Sequence, residues 1–193
     1  MSQTKPIKNL DEMQAFKDYY LTNRKNLRNY ALIVLGLNTA LRISDLLRIK
    51  WSDVYDFKKN TYRKHLEIKE TKTGKQNRIA LNVNVVSSLE LYQSSLTDVS
   101  MDTYVFPSPK NKTCHLSRFQ AYRIVKQAAD AAEIDEVIGC HSMRKTFGYQ
   151  ASKQGVPPAL LMSIYNHSSY QITKRYLDID QDDKDEAFTK INL

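Results

Sequence analysis

The sequence predicts a mainly α-helical fold that carries a small three-stranded antiparallel β-sheet. Three observations predict it. Apolar residues return at helical spacing over most of the chain, only five Gly and five Pro interrupt 193 residues, and one stretch between residues 51 and 81 switches to alternation. The first helix is expected from Asn9 to about Asn23: Asn9 is a capping residue, Asp11 and Glu12 suit the positive end of the dipole, and Leu10, Met13, Phe16 and Tyr20 share a face. Leu27 to Ala40 is nearly all apolar in its second half, which predicts a helix buried on most sides. A short helix capped by Ser44 follows, with Leu46, Leu47 and Ile49 inward.

Trp51 to Phe57, Lys64 to Lys69 and Gln76 to Leu81 read as the three strands, with Thr71 to Lys75 as the hairpin between the last two and Gly74 supplying its turn. Asn82 to Leu96 is a helix with Val85, Val86, Leu89 and Tyr92 on one face. Leu116-Ser117 opens another, running to about Glu133 with Phe119, Ile124, Val125 and Ala128 inward. From His141 to Tyr176 come two or three helices. Gly155, Pro157 and Pro158 stop one and start the next, and His167-Ser168-Ser169 sets off a last one carrying Lys174, Arg175 and Tyr176.

Hydrophobic residues make up 41% and charged residues 26%, the balance of a folded rather than a disordered chain, and the length suits one domain. The 29 Lys and Arg against 21 Asp and Glu leave a formal charge of +8, which favours a polyanionic partner: nucleic acid first, an acidic membrane surface second. Cys114 and Cys140 match no zinc spacing, so no structural metal is expected. The longest apolar run, Tyr30 to Leu37, is too short to span a bilayer, and the start MSQTKPIKNL has no apolar leader segment; a cytoplasmic protein is expected.

His141 and Arg144 sit three apart at the start of a helix, so both point the same way, a fork suited to a phosphate or a carboxylate. Arg42 lies amid apolar sequence and needs a partner; an ion pair with Asp45 or another acid is the common solution. Lys72 in its hairpin reads equally as a solvated turn lysine, and Tyr176 is one of twelve tyrosines, with Tyr149, Tyr165 and Tyr170 nearby. Ser117, Arg118, Tyr122 and Arg123 share the outer face of their helix, as either phosphate contacts or a solvated surface.

Two clusters carry a family resemblance. His141-Ser142-Met143-Arg144, then Asn166-His167, then Tyr176 nine residues on, resembles the tyrosine recombinase family's His-x-Leu-Arg, Gly-His and Tyr. Ala40-Leu41-Arg42, Ser44-Asp45-Leu46 and Trp51-x-Asp53 resemble its first box. The family includes phage-type integrases, Xer-like enzymes and compact fimbrial phase-switching enzymes. Met143 stands for the usual Leu, and Asn166 for the usual Gly; Asn tolerates left-handed backbone. Val105-Phe106-Pro107 is similar to a short core-anchoring segment of the family.

The resemblance implies the catalytic-domain fold of the integrases over residues 1–177, with 178–193 as a tail that docks on a neighbouring subunit or on its own chain. The separate N-terminal DNA-clamping domain of most relatives is not seen in this sequence, which fits either a naturally short recombinase or a fragment of a longer integrase. The resemblance assigns Arg42 and Arg144 to the phosphate, Tyr176 as nucleophile, Lys72 as general acid with Lys75 the competitor, and His141 and His167 as hydrogen-bonding or proton-moving groups. Lys75, Arg78, Ser117, Arg118, Tyr122, Arg123, Lys145 and Lys174 are then candidate DNA contacts. The implied activity is site-specific recombination of double-stranded DNA by a homo-tetramer on paired sites, with a monomer one open alternative when DNA is absent, without metal, other cofactor or ATP. The same residues allow a non-catalytic DNA-binding protein or a type IB topoisomerase-like enzyme.

Overall fold

The computed structural model describes residues 4–178 and 181–191. The chain runs α1 (Leu10–Thr22), α2 (Leu27–Asn38), α3 (Ile43–Leu46), α4 (Trp51–Val54), β1 (Tyr55–Asp56), β2 (Thr61–Tyr62), β3 (His65–Lys69), β4 (Gln76–Ala80) and α5 (Val83–Gln93). It continues with α6 (Arg118–Ala131), α7 (Cys140–Lys153), α8 (Pro158–Ile164), α9 (Tyr170–Leu177) and α10 (Gln181–Lys190). None of the described helices is long and apolar enough to cross a membrane.

The centre is α2. Asn26 caps it by accepting from Asn29 N, and Ala31 through Leu37 are buried without a solvent face, because α1, α5 and α7 all pack on it. Helix α1 is capped as its sequence predicts: Asn9 Oδ1 accepts from Asp11 N at 2.7 Å and Glu12 N at 3.1 Å. Phe16 and Tyr20 turn inward, whereas Leu10, in the first turn, is exposed. Val105 and Phe106 are fully buried, with Val105 N donating to Ile49 O at 2.9 Å, so this segment does anchor the core.

The single three-stranded sheet is corrected to two separate two-stranded ladders, β1 with β2 and β3 with β4, both antiparallel. Asp53 Oδ2 accepts from Lys50 N at 2.8 Å and caps a helical turn over Trp51–Val54. That turn takes up most of the stretch expected as the first strand. Only Tyr55 and Asp56 remain extended, and they pair with Thr61–Tyr62 across a turn in which Asp56 accepts from Lys58 N and Lys59 N. The β3–β4 hairpin is as expected, with Gly74 at φ +68.

Two further expectations fail for stated reasons. Ser44 lies inside α3 rather than capping it; Arg42 holds the cap position, and its carbonyl accepts from Asp45 N and Leu46 N. Phe119 is 68% exposed. It precedes Ala121 by two residues, about 200° around the helix, and so faces away from the Ala121, Ile124, Val125, Ala128 stripe.

The last part of the chain joins the core through α7, which packs on α2 and carries α8 and α9. Gly155 at φ +84 ends α7, and Pro157 and Pro158 open α8. Ser169 stands at the start of α9 without a side-chain capping bond. In the tail, Phe188 is 76% exposed and Ile191 is exposed too, while the Ala187 side chain and Leu193 lie outside the described residues.

Helix α7 packs on α8 through Gly148, where an added Cβ would run into the Tyr165 ring and hydroxyl. That hydroxyl is fixed, donating to Arg144 O at 2.7 Å, so it cannot swing clear. Gly148→Ala should therefore destabilise the fold by about 1–3 kcal/mol. Urea denaturation checks this, and an unchanged midpoint would show that α8 shifts freely on α7.

Candidate active site

The segments that hold the resemblance residues converge at one open cleft of about 960 Å³. Five of the six expected residues line it, namely Arg42, Lys72, His141, His167 and Tyr176, together with Lys75 and Arg118. Each arrives from a different place: Arg42 from the turn into α3, Lys72 and Lys75 from the β3–β4 hairpin, Arg118 from α6, His141 from α7, His167 from the α8–α9 turn and Tyr176 from α9.

Arg144 takes a different position. It is 1% exposed, beneath the cleft rather than lining it. Its Nη1 donates to Ala40 O and its Nη2 to Tyr165 O at 3.0 Å, while Nε is buried with no partner among the described residues. Both carbonyls sit at left-handed turns: Ala40 itself has φ +54, and Asn166, next to Tyr165, has φ +54. The guanidinium lies over the Tyr165 ring at 4.6 Å and the Tyr176 ring at 5.8 Å.

Tyr176 is surrounded by rings. His141 meets it edge-on at 4.9 Å and His167 at 4.8 Å, with Tyr165 tilted at 5.2 Å and stacked on His167 at 5.0 Å. His167 Nδ1 lies 3.0 Å from Thr173 Oγ1, which orients the imidazole. Tyr165 is fully buried with its hydroxyl committed, and Tyr149 is buried as well and does not line the cleft. Tyr170 is exposed at the start of α9 and does not line the cleft.

Both imidazoles are hard to charge. Desolvation first, and then the nearby cations Arg144 and Arg42, push His167 down to about 4. His141 is likewise lowered to about 4 by desolvation, then by Arg144, Lys145, Arg42 and Lys72. Its ring keeps a solvent-exposed side, so the four cations are its firmer cause. Desolvation and Arg42 lower Arg144 as well.

Glu70, which belongs to neither sequence motif, is the partner of Arg42. Its buried carboxylate lies 2.5 Å from Arg42 Nη1, replacing the Asp45 pairing that the sequence suggests first. Asp45 instead accepts from Thr71 N at 2.9 Å and so ties down the hairpin. The alternation of β3 carried the signal: Leu66, Ile68 and Glu70 fall on one inward face, and an inward carboxylate needs a cation.

The candidate DNA contacts divide. Lys75 and Arg118 face the cleft, while Tyr122 and Arg123 are exposed on α6 and Lys174 is exposed on α9. Ser117 caps α6, its Oγ accepting from Gln120 N at 3.2 Å. Arg78 lies apart, in a second polar hollow, against Glu67 at 3.4 Å. Lys145 is a correction: it is 3% exposed and donates to Thr4 O at 2.6 Å, strapping the N-terminal segment to α7, so it is not offered to a phosphate. Among the described residues no group of three or more His, Cys, Asp or Glu converges to hold a metal.

Residues 8–183 match the phage integrase family. The chain belongs to it. It is an enzyme of the tyrosine recombinase class. One relative is the probable integrase/recombinase YoeC of Bacillus subtilis, 38% identical over 94% of this chain and 93% of its own. Among solved structures, the XerA recombinase superposes with a TM-score of 0.78 at 20% identity, covering 97% of this chain and 66% of that one. The XerH recombinase bound to its palindromic difH substrate, a post-cleavage complex, gives 0.76 at 19%, covering 98% and 54%. These two establish the catalytic-domain fold, and the chain spans about half to two thirds of their length.

The lowered histidines set a pH dependence of stability. An unfolded His takes up a proton near 6.5 and the folded ones near 4, so between those values the unfolded state binds more protons. Stability is full above pH 6.5 and falls as pH drops toward 4. Thermal midpoints across this range should decline in the wild type and decline less in a His141→Asn, His167→Asn double variant; equal slopes would refute the assignment.

Proposed function

We propose that this protein cuts and rejoins DNA at specific sites through a covalent 3′-phosphotyrosine on Tyr176. The observation that carries the reading is the convergence of Tyr176 with His141 and His167, ring on ring, in a cleft that Arg42 and Lys72 also line, with the Arg144 guanidinium set beneath it against the Tyr176 ring. A phosphodiester repels nucleophiles, and attack on it gathers charge on the non-bridging oxygens. Guanidinium groups fixed there stabilise that charge more in the transition state than in the ground state.

In this reading Tyr176 Oη attacks phosphorus and its proton passes to a neutral imidazole, which the lowered values of His141 and His167 make available. The bond from phosphorus to O5′ breaks, and the leaving oxygen takes a proton from the Lys72 ammonium. A phosphotyrosine ester and a free 5′-hydroxyl result. Attack by a 5′-hydroxyl of the partner duplex reverses the step and reseals the strand, so the ester keeps the bond energy and no ATP is consumed. Arg42 in the cleft, backed by the Arg144 charge fixed beneath it, takes the part that metal ions play in other phosphoryl transfers.

Double-stranded DNA is the partner the charge supports. Lys75 and Arg118 in the cleft and the exposed Arg123 of α6 meet phosphates, and affinity falls steeply with salt. Exchange between two duplexes breaks four strands, and each chain supplies one Tyr176, so four copies act together on two sites. Residues 1–177 form the catalytic unit and 178–193 the tail.

The test is a nicked suicide duplex bearing a site selected from random sequence by binding to the full chain, incubated with EDTA and resolved on a denaturing gel. The wild type should form a covalent adduct, Tyr176→Phe none, and Arg42→Ala or Arg144→Ala should lower its rate by about 100–1,000-fold. An adduct that survives Tyr176→Phe would move the nucleophile elsewhere. No adduct on saturated DNA would leave a binding protein.

A further inference from the structure

We infer that Glu70 is a positioning residue that sets Arg42, the Lys72 hairpin and the His167 turn relative to one another. The inference rests on the strand-cleavage reading above. Glu70 follows β3, and its backbone closes the hairpin tip, with Glu70 N donating to Lys75 O and Gly74 N to Glu70 O, both at 2.9 Å. Lys72 is held inside that closed loop. The Glu70 side chain turns away from solvent, at 0% exposure, and does not line the cleft, so it acts through other residues.

Its two oxygens receive four donors. Oε2 takes Arg42 Nη1 at 2.5 Å and Thr73 Oγ1 at 2.9 Å, and Oε1 takes Asn166 Nδ2 at 2.9 Å and Asn77 Nδ2 at 3.2 Å. These donors come from the α2–α3 turn, the hairpin and the α8–α9 turn, 28, 3, 96 and 7 positions away in sequence. Burial raises the carboxyl's proton affinity, but the hydrogen bonds from Asn166, Thr73 and Arg42 more than offset this and hold it below its usual range. A buried carboxylate that stays ionised binds its donors tightly, because losing any of them leaves charge uncompensated.

The consequence for Arg42 is geometric. One Nη is fixed by Glu70 from within, and Arg42 still lines the cleft, so a phosphate meets the remaining edge of an already oriented plane. Asn166 explains itself in the same terms. It holds the left-handed turn with φ +54, a conformation Gly would also adopt, and its amide adds a bond that Gly cannot make, so His167, the next residue, is pinned to the same carboxylate as Arg42.

The experiment compares the full-length wild type, Glu70→Gln, Glu70→Ala and Asn166→Gly in single-turnover cleavage of the suicide duplex, beside equilibrium binding to the uncleavable duplex. Glu70→Ala should slow cleavage at saturating DNA about 100-fold while Kd stays within about threefold, since a shift of an ångström in the reacting groups costs that much. Glu70→Gln keeps an acceptor for Arg42 and should recover about tenfold of the loss, and Asn166→Gly, which keeps the backbone turn, should slow cleavage about tenfold. Full-rate cleavage by all three variants would overturn the inference and leave the functional reading intact. So would a loss matched by an equal loss of DNA-binding-competent protein, which marks a folding role. A wild type without adduct would instead overturn the functional reading, and this inference with it.

Discussion

A buried arginine governs the arrangement of this molecule. Burying a guanidinium without partners costs several kcal/mol, so Arg144 must find acceptors wherever α7 carries it. It finds the carbonyls of Ala40 and Tyr165, 104 and 21 positions away. The turn that delivers Arg42 and the turn that delivers His167 are thereby fastened to the helix that carries His141. Both turns include a non-glycine residue in the left-handed region, a conformation that costs on the order of 1 kcal/mol each and that the tertiary bonds offset.

Around this joint the charges are arranged asymmetrically. Arg42, Arg144, Lys72 and Lys75 gather near one cleft, and Glu70 pairs with Arg42 at short range. Desolvation first, and then this surplus, lowers the proton affinity of both histidines. An anion entering the cleft would meet a field already organised for it, with little reorientation needed, which is the condition under which fixed charges count most toward a transition state.

Much of the fold was legible because its causes are local. Asn9 and Asn26 cap the helices they precede, the all-round apolar run of α2 marks the centre, and Gly155 with Pro157 and Pro158 divides α7 from α8. The errors lie where two local rules compete. Around Trp51 the alternation suggests a strand, but Asp53 caps a helical turn first. At Phe119 apolar character suggests burial, but the angle around α6 turns it outward.

The sequence by itself determined which residues lie together along the chain: His141 and Arg144 on one helical face, Lys72 at a hairpin tip, and Tyr176 a short helix beyond His167. These follow from spacings within a turn or two, where backbone geometry acts directly. The tertiary structure decided what each side chain faces. It set Arg144 beneath the cleft, drew Lys145 inside to Thr4, and gave Arg42 to Glu70 rather than to nearby Asp45. Those partners are 21 to 141 positions distant, and no local periodicity reaches so far. Only the packing of α2, α7 and the hairpin, which brings these distant groups within reach of one another, selects among them.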